Sequence, residues 1–268
     1  MIKIISGSPQ KIWVPVDPGA TVFVGSIVSF DSTAEGVVIR EQADGAADTT
    51  NKDVPFGVVT GTNRRTPLWN ATEHAHYIVG EAVTAIRTSA TEYVGVEGPW
   101  GKGDNRAMVQ VELIDSSTIL KAPFFDDAVG TALSVLTSTT GNVSGLTVTT
   151  NECDFTPVAN LATIYCRSGL NAGTYRMTTD TSTTVAVWDS EMLNTTATAG
   201  ETYVRAPVRV GRSYVRIGDD TVSSYINASE TQATNYDIIW VIHLDLSTAG
   251  EEFCLFRFDG DHFCSARA

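Results

Sequence analysis

The sequence predicts an all-β protein of two domains, and three observations carry that prediction. Short apolar runs recur along the chain, each closed by Gly, Asp, Asn, Ser or Pro at turn-forming positions. The first half has no helical period of useful length; only Thr66–His74 has the makings of one or two helical turns. Hydrophobic residues reach 43% against 18% charged, with Ser, Thr, Ala and Gly filling much of the rest, a balance that suits globular, turn-rich β-structure. A chain of 268 residues is long enough for two cores.

Residues 1–20 place Ile4, Ile5, Ile12, Trp13 and Val14 among Pro9, Pro15 and Pro18, poor material for an independent element. The segment reads as an extended arm. Such an arm either adds a strand to a neighbour's sheet edge, where backbone bonds give affinity and alternate side chains fill pockets, or folds back on its own barrel. A donated arm predicts that residues 1–16 can be removed while the barrel stays folded.

From 21 to 115 the strands follow quickly: Thr21–Phe23, Ile27–Phe30 after Gly25, Gly36–Arg40, Phe56–Thr60, Tyr77–Gly80, Ala82–Arg87 and Met108–Ile114. These are small-barrel lengths. In the last of them Val109, Val111 and Leu113 share one uniformly apolar face, which should meet the core. Residues 116–125, ending in Pro123, Phe124 and Phe125, read as a connector that packs rather than flexes, since a free linker is Gly/Ser-rich or charged.

Residues 126–268 predict a β-sandwich. Turn signals at Gly141-Asn142 imply hairpins, and strands are expected at 162–167, 173–178, 183–188, 203–210, 213–217 and 238–246. The last alternates cleanly: Ile238, Trp240, Ile242, Leu244 and Leu246 form the apolar face, while Ile239 and Val241 give way to His243 and Asp245 on an outer face that turns wet. Asp259-Gly260 then predicts a hairpin between 252–258 and 261–265, whose register decides whether Cys254 and Cys264 face each other. The four cysteines have no C-x-x-C spacing, which argues against a zinc ribbon or redox motif.

Chemistry-bearing constellations are thin. His74 and His76 would share one strand face, but no third ligand lies near beyond Glu73 or Glu81, and no metal is expected. Gly98–Asp104 fails the phosphate-loop pattern, because Val96 and Gly103 stand where Gly and Ser/Thr are required. There is no G-x-S-x-G elbow for a triad with His243 or His262. The acidic pairs Asp126-Asp127, Asp219-Asp220, Glu251-Glu252 and Asp259/Asp261 suit turns. No cofactor or catalytic residue is assigned, and an enzyme is not expected.

The net charge of −13 without a Lys/Arg block argues against nucleic-acid contact and leaves protein as the partner class. The opening MIKIISGSPQ is too short for a secretory apolar region or a membrane span, so neither export nor membrane attachment is expected. The N-x-[ST] sites at Asn70, Asn142, Asn194 and Asn227 then carry no glycan.

The string DPGATVFVGSIVSFDSTAEGVVIREQADGAADTTNKDVPFGVVT (17–60), with RAMVQVELIDSSTIL (106–120), resembles the β-barrel modules of tailed-phage capsid decoration (cement) proteins through its "GSIVSF…PFGVV" rhythm. The resemblance covers the first half and fades after Phe125. It implies a β-tulip-like docking barrel over 21–115, a virion protein made in the host cytoplasm and carried on the outer capsid surface, and a homotrimer that bridges major capsid protein subunits. The arm residues Ile4, Ile5, Ile12, Trp13 and Val14 would then contact the capsid or an adjacent copy. The alternative is a head fibre whose C-terminal sandwich binds a receptor or host-surface glycan.

Overall fold

The computed structural model describes residues 1–7, 10–16, 21–30, 36–39, 54–62, 82–84, 86–87, 93–94, 108–125, 135–137, 141–144, 147–150, 162–169, 171–182, 185–188, 202–220, 223–228 and 237–264. Over these residues the fold is all-β, save for one helical turn. The chain divides into two compact units: one of residues 1–121, 218–225 and 257–268, the other of 122–217 and 226–256. Both are discontinuous in sequence, because the chain passes between them four times.

The first part of the chain forms β1 (Lys3–Ser6), β2 (Lys11–Pro15), β3 (Thr21–Phe23), β4 (Ile27–Phe30), β5 (Val37–Ile39), β6 (Gly57–Thr62), β7 (Ala82–Thr84), β8 (Ile86–Arg87), β9 (Tyr93–Val94), β10 (Met108–Leu113) and β11 (Ile119–Phe125). Five of these make one antiparallel sheet in the order β2-β10-β6-β4-β5. A parallel bridge between Val16 and Val37 joins its two outer strands at one end, curling the sheet into a half-barrel. Two-stranded ribbons, β3 with β7 and β8 with β9, accompany it, and β1 pairs with β11.

The concave side is built of valines. Val14, Val16, Val22, Val28, Val37, Val59, Val109 and Val111 form one buried cluster, with Ile12, Val24 and Phe56 packed against it. β-branched side chains suit this surface because their few rotamers stand perpendicular to the sheet and interlock with those across the strand. Val109 and Val111 face the core as their alternation predicts, whereas Leu113, at the strand end, is half-buried.

Gly57 is required by a close approach. It pairs with Leu113 on β10 and with Val28 on β4, and a Cβ there would stand 2.3 Å from Val111 Cγ1 and 2.6 Å from the Glu112 carbonyl oxygen. Gly25 answers a different need: its φ of +88° lies in the left-handed region, and a Cβ would meet the Met1 side chain. The turn it makes is held by Gly25 N–H donating to the Val59 carbonyl at 2.8 Å and Val59 N–H donating to the Ser26 carbonyl at 3.0 Å.

The rest of the chain forms β12 (Val135–Thr137), β13 (Gly141–Ser144), β14 (Thr147–Thr150), β15 (Thr163–Cys166), β16 (Gly173–Ser182), β17 (Val185–Trp188), β18 (Thr202–Ala206), β19 (Gly211–Val215), β20 (Ile217–Asp220), β21 (Ser223–Asn227), β22 (Asp237–Asp245), β23 (Phe253–Phe258) and the turn α1 (Asp261–Cys264). In the second unit, one seven-stranded sheet runs β12-β18-β15-β16-β17-β14-β13. β13 and β14 form a hairpin that pairs Ser144 with Thr147, but Gly141 and Asn142, expected at its turn, lie within β13 opposite Thr150 and Thr149. Another run of strands follows the order β19-β22-β23-β11-β21, with β11 and β21 parallel through Phe124↔Ile226 and Phe125↔Asn227. Residues 116–125, read as a connector, thus end in β11.

Two expectations are corrected here. On β22 the inward face is Asp237, Ile239 and Val241, all buried, while Trp240 and Ile242 are 40% and 47% exposed. From Asp237 to Ile242 the alternation holds with the orientation reversed, whereas His243 is exposed and Leu246 is buried as expected. At the C-terminus, the hairpin around Asp259-Gly260 is replaced by α1: Asp259 Oδ1 accepts from the Asp261 N–H at 3.1 Å, and Phe263 N–H donates to the Gly260 carbonyl at 3.1 Å. The side-chain acceptor starts a helical turn where a two-residue β-turn was expected. No strand faces β23 from residues 261–264, so the cross-hairpin cysteine registers fall away.

Candidate functional site

The five residues expected at a contact surface lie on β1 and β2, and both strands pair within the chain. β1 runs antiparallel to the start of β11, with Ile4 opposite Leu120 and Ser6 opposite Ile119. The register skips Ile5, which is the extra residue of a bulge, and a bulged residue has no partner side chain across the ladder. Ile5 is 53% exposed as a result, while Ile4 is half-buried.

β2 pairs with β10 through Ile12↔Val111, Trp13↔Gln110 and Val14↔Val109. Val14 is 6% exposed and belongs to the valine core, and Ile12 packs against it. Trp13 points to the opposite face, half-buried, among polar neighbours. There Lys11 Nζ stands 3.7 Å from Glu112 Oε1, and Thr60 Oγ1 donates to Gln110 Oε1 at 3.4 Å.

The five residues therefore separate. Ile12 and Val14 hold the barrel together, Ile4 lies on the β1–β11 ladder, and Ile5 and Trp13 keep surface that another molecule can reach. Ile2 and Val16 are also buried, so the first sixteen residues supply core as well as edge. An arm that can be cut away from a folded barrel is not what these strands form.

Among the described residues β2 is also the terminal strand of its sheet, joined to β5 at one end through the Val16–Val37 bridge. A terminal strand leaves one side of its backbone without a ladder and is the usual place for another chain to add a strand. The Asp115–Thr118 turn leads into β11. Asp115 Oδ1 accepts from Ser117 Oγ at 2.7 Å, from Ser117 N–H at 2.8 Å and from Thr118 Oγ1 at 3.0 Å. These bonds, the Ser117 hydroxyl first, hold its carboxyl below the usual aspartate range.

Of the candidate chemistry, Glu252 is buried and ion-paired with Arg167, and Asp259 caps α1. His243 is exposed beside the Phe253 ring, 6.1 Å between centroids. Among the described residues no group of three His, Cys, Asp or Glu side chains is arranged to hold a metal ion, and no helix is long and apolar enough to cross a membrane. His74, His76, Gly98–Asp104 and Asp126-Asp127 lie outside the described residues. Cys166 and Cys254 are buried thiols in no disulfide, and Cys166 Sγ donates to the Ser168 carbonyl at 3.1 Å.

Two features escaped the sequence reading. The Arg167–Glu252 pair spans 85 positions, and no local pattern joins its members. The exposure of Trp240 was hidden because both faces of β22 carry large apolar side chains. No protein-family model, curated protein or solved structure matches the chain.

Proposed function

We propose that this chain is a structural protein of a tailed-phage virion, a capsid decoration protein that binds the outer surface of the head and stabilises the mature lattice by bridging major capsid subunits. In this reading residues 21–115 act as a β-tulip-like docking barrel, residues 126–268 form a sandwich beyond it, and the chain works as a homotrimer.

The observation that carries the reading is the use made of the "GSIVSF…PFGVV" string. Its residues form β4 and β6 side by side around the valine core, with Gly25 and Gly57 at the points where a side chain would collide. The motif is thus a scaffold motif. Beside it, β2 offers a terminal strand, with Trp13 and the bulged Ile5 as apolar contacts at the surface.

The mechanism needs no reacting group. A protein that binds only the expanded lattice lowers the free energy of that state and leaves the immature one unchanged. Several linked attachments then add avidity without a tight single site.

Imaging of purified virions with and without the chain tests the proposal, with extra density expected on the outer face of the head. Localisation to the tail, or no association with virions, overturns it. Substituting Ile5→Asp or Trp13→Ser should lower head occupancy while the protein keeps its thermal midpoint.

A further inference from the structure

We infer that residues 218–225 are a strap that closes the start of β4 in the half-barrel, so that β4 and the strap open and close together. The inference concerns a conformational device of the fold and stands apart from the proposed function.

The carbonyls of Ser26 and Val28 point to the β6 side, where they accept from the N–H groups of Val59 and Phe56. Alternation along the strand therefore turns the Ile27 N–H the other way, toward the β5 side. The described β4–β5 ladder stops one position short of it, at Val28↔Ile39. There the Ile27 N–H donates to Ser224 Oγ at 2.9 Å, across 197 positions of sequence. Both residues are fully buried. A buried amide needs an acceptor, and a distant hydroxyl supplies the one that a ladder carbonyl supplies elsewhere.

A single hydrogen bond contributes less than closing a loop of that length costs, so Ser224 has to be carried to β4 by its own surroundings. The chain around it does this. Residues 218–225 belong to the first unit, while Ile217 before them and Ile226 after them belong to the second and are 1% and 0% exposed. The Asn227 N–H donates to the Arg216 carbonyl at 2.9 Å, tying the two feet of the excursion together. Pairing of Phe124 with Ile226 fixes the second foot to β11. Between the feet, β20 and β21 lie side by side, so Ser224 is presented on a short hairpin whose ordering cost is met before the bond forms.

The hydroxyl of Ser26, one residue before Ile27 and equally buried, makes no hydrogen bond among the described residues. It serves as an internal control for a buried serine at the same turn. With the strap released, β4 would show an unpaired amide at a sheet edge, which is where other chains add.

Hydrogen exchange of the full chain through a urea series tests this. In wild type the Ile27 amide is expected to open with those of Ser224 and Tyr225, at one free energy and one urea dependence. An Ile27 amide that stays protected after those two have exchanged overturns the inference. Ser224→Ala should speed Ile27 exchange about tenfold or more while Ile164 and Ile239 of the second unit keep their rates. Ser26→Ala should leave Ile27 unchanged. Equal Ile27 rates in wild type and Ser224→Ala, or an acceleration as large in Ser26→Ala, overturn the inference as well. If Ser224→Ala fails to fold, the wild-type series alone decides.

Discussion

Arg167 and Glu252, 85 positions apart, form a buried ion pair in the second unit: Arg167 Nη2 donates to Glu252 Oε1 at 2.5 Å, while its Nε donates to the Leu246 carbonyl at 2.9 Å. The two side chains are 13% and 3% exposed. The arginine thereby ties the end of β15 both to the residue that follows β22 and to the residue that precedes β23. Such a pair is a fastening whose value shows when one half is taken away.

Removing one partner leaves the other charge buried without compensation. Glu252→Leu or Arg167→Met should each lower unfolding free energy by about 3 to 5 kcal/mol, whereas the double substitution should recover a large share of that loss. Urea denaturation of the three variants measures it; single-variant losses that simply add would show the two residues to be uncoupled.

The glycines of the half-barrel make a graded series. Gly57→Ala drives a methyl group into Val111 and the Glu112 carbonyl and should cost about 2 to 4 kcal/mol, because backbone cannot step aside. Gly25→Ala meets the flexible Met1 side chain but must adopt φ +88°, at about 1 to 2 kcal/mol. At Gly61 the nearest atom to a new Cβ is Gln110 Oε1 at an ordinary 3.5 Å, so Gly61→Ala should be close to neutral. Thermal midpoints in the order Gly61→Ala, Gly25→Ala, Gly57→Ala, highest to lowest, are expected.

Asp115 links stability to acid. Hydrogen bonds from Ser117 and Thr118 lower its carboxyl in the folded chain, so the folded state holds the proton less readily than the unfolded one. The stability it contributes is complete above the ordinary aspartate value and is lost as pH falls through the lower folded value. Asp115→Asn should therefore narrow the difference in stability between neutral and strongly acidic solution. A carboxyl carbon titration by NMR, expected to place Asp115 below an unstructured aspartate, checks the premise directly.

Burial alone raises the Cys254 thiol far above its usual range, which keeps it protonated and out of reach. Iodoacetamide at mildly alkaline pH should modify Cys254 about a hundredfold more slowly in native protein than in urea, as peptide mass spectrometry would read. Native and unfolded rates that match would place the thiol at the surface.

Much of the strand content was legible in the residues alone. Runs such as IVSF, PFGVV and MVQVEL are short, β-branched and closed by turn residues, and they form β4, β6 and β10 with Val109 and Val111 facing the core. That information is local, because alternation and turn chemistry act within a few residues. Tertiary structure decided the rest. β22 carries apolar side chains on both faces, so its own pattern cannot say which turns inward; burial of Ile239 and Val241 alongside Ser213, Val215, Cys254 and Phe256 makes that choice and leaves Trp240 outside. The same holds for Ile4, Ile5, Ile12, Trp13 and Val14, which look alike as an apolar string and are sorted into core, ladder, bulge and surface by their partners on β10 and β11. Pairing across a hundred residues is a property of the folded chain, and no window of neighbouring side chains contains it.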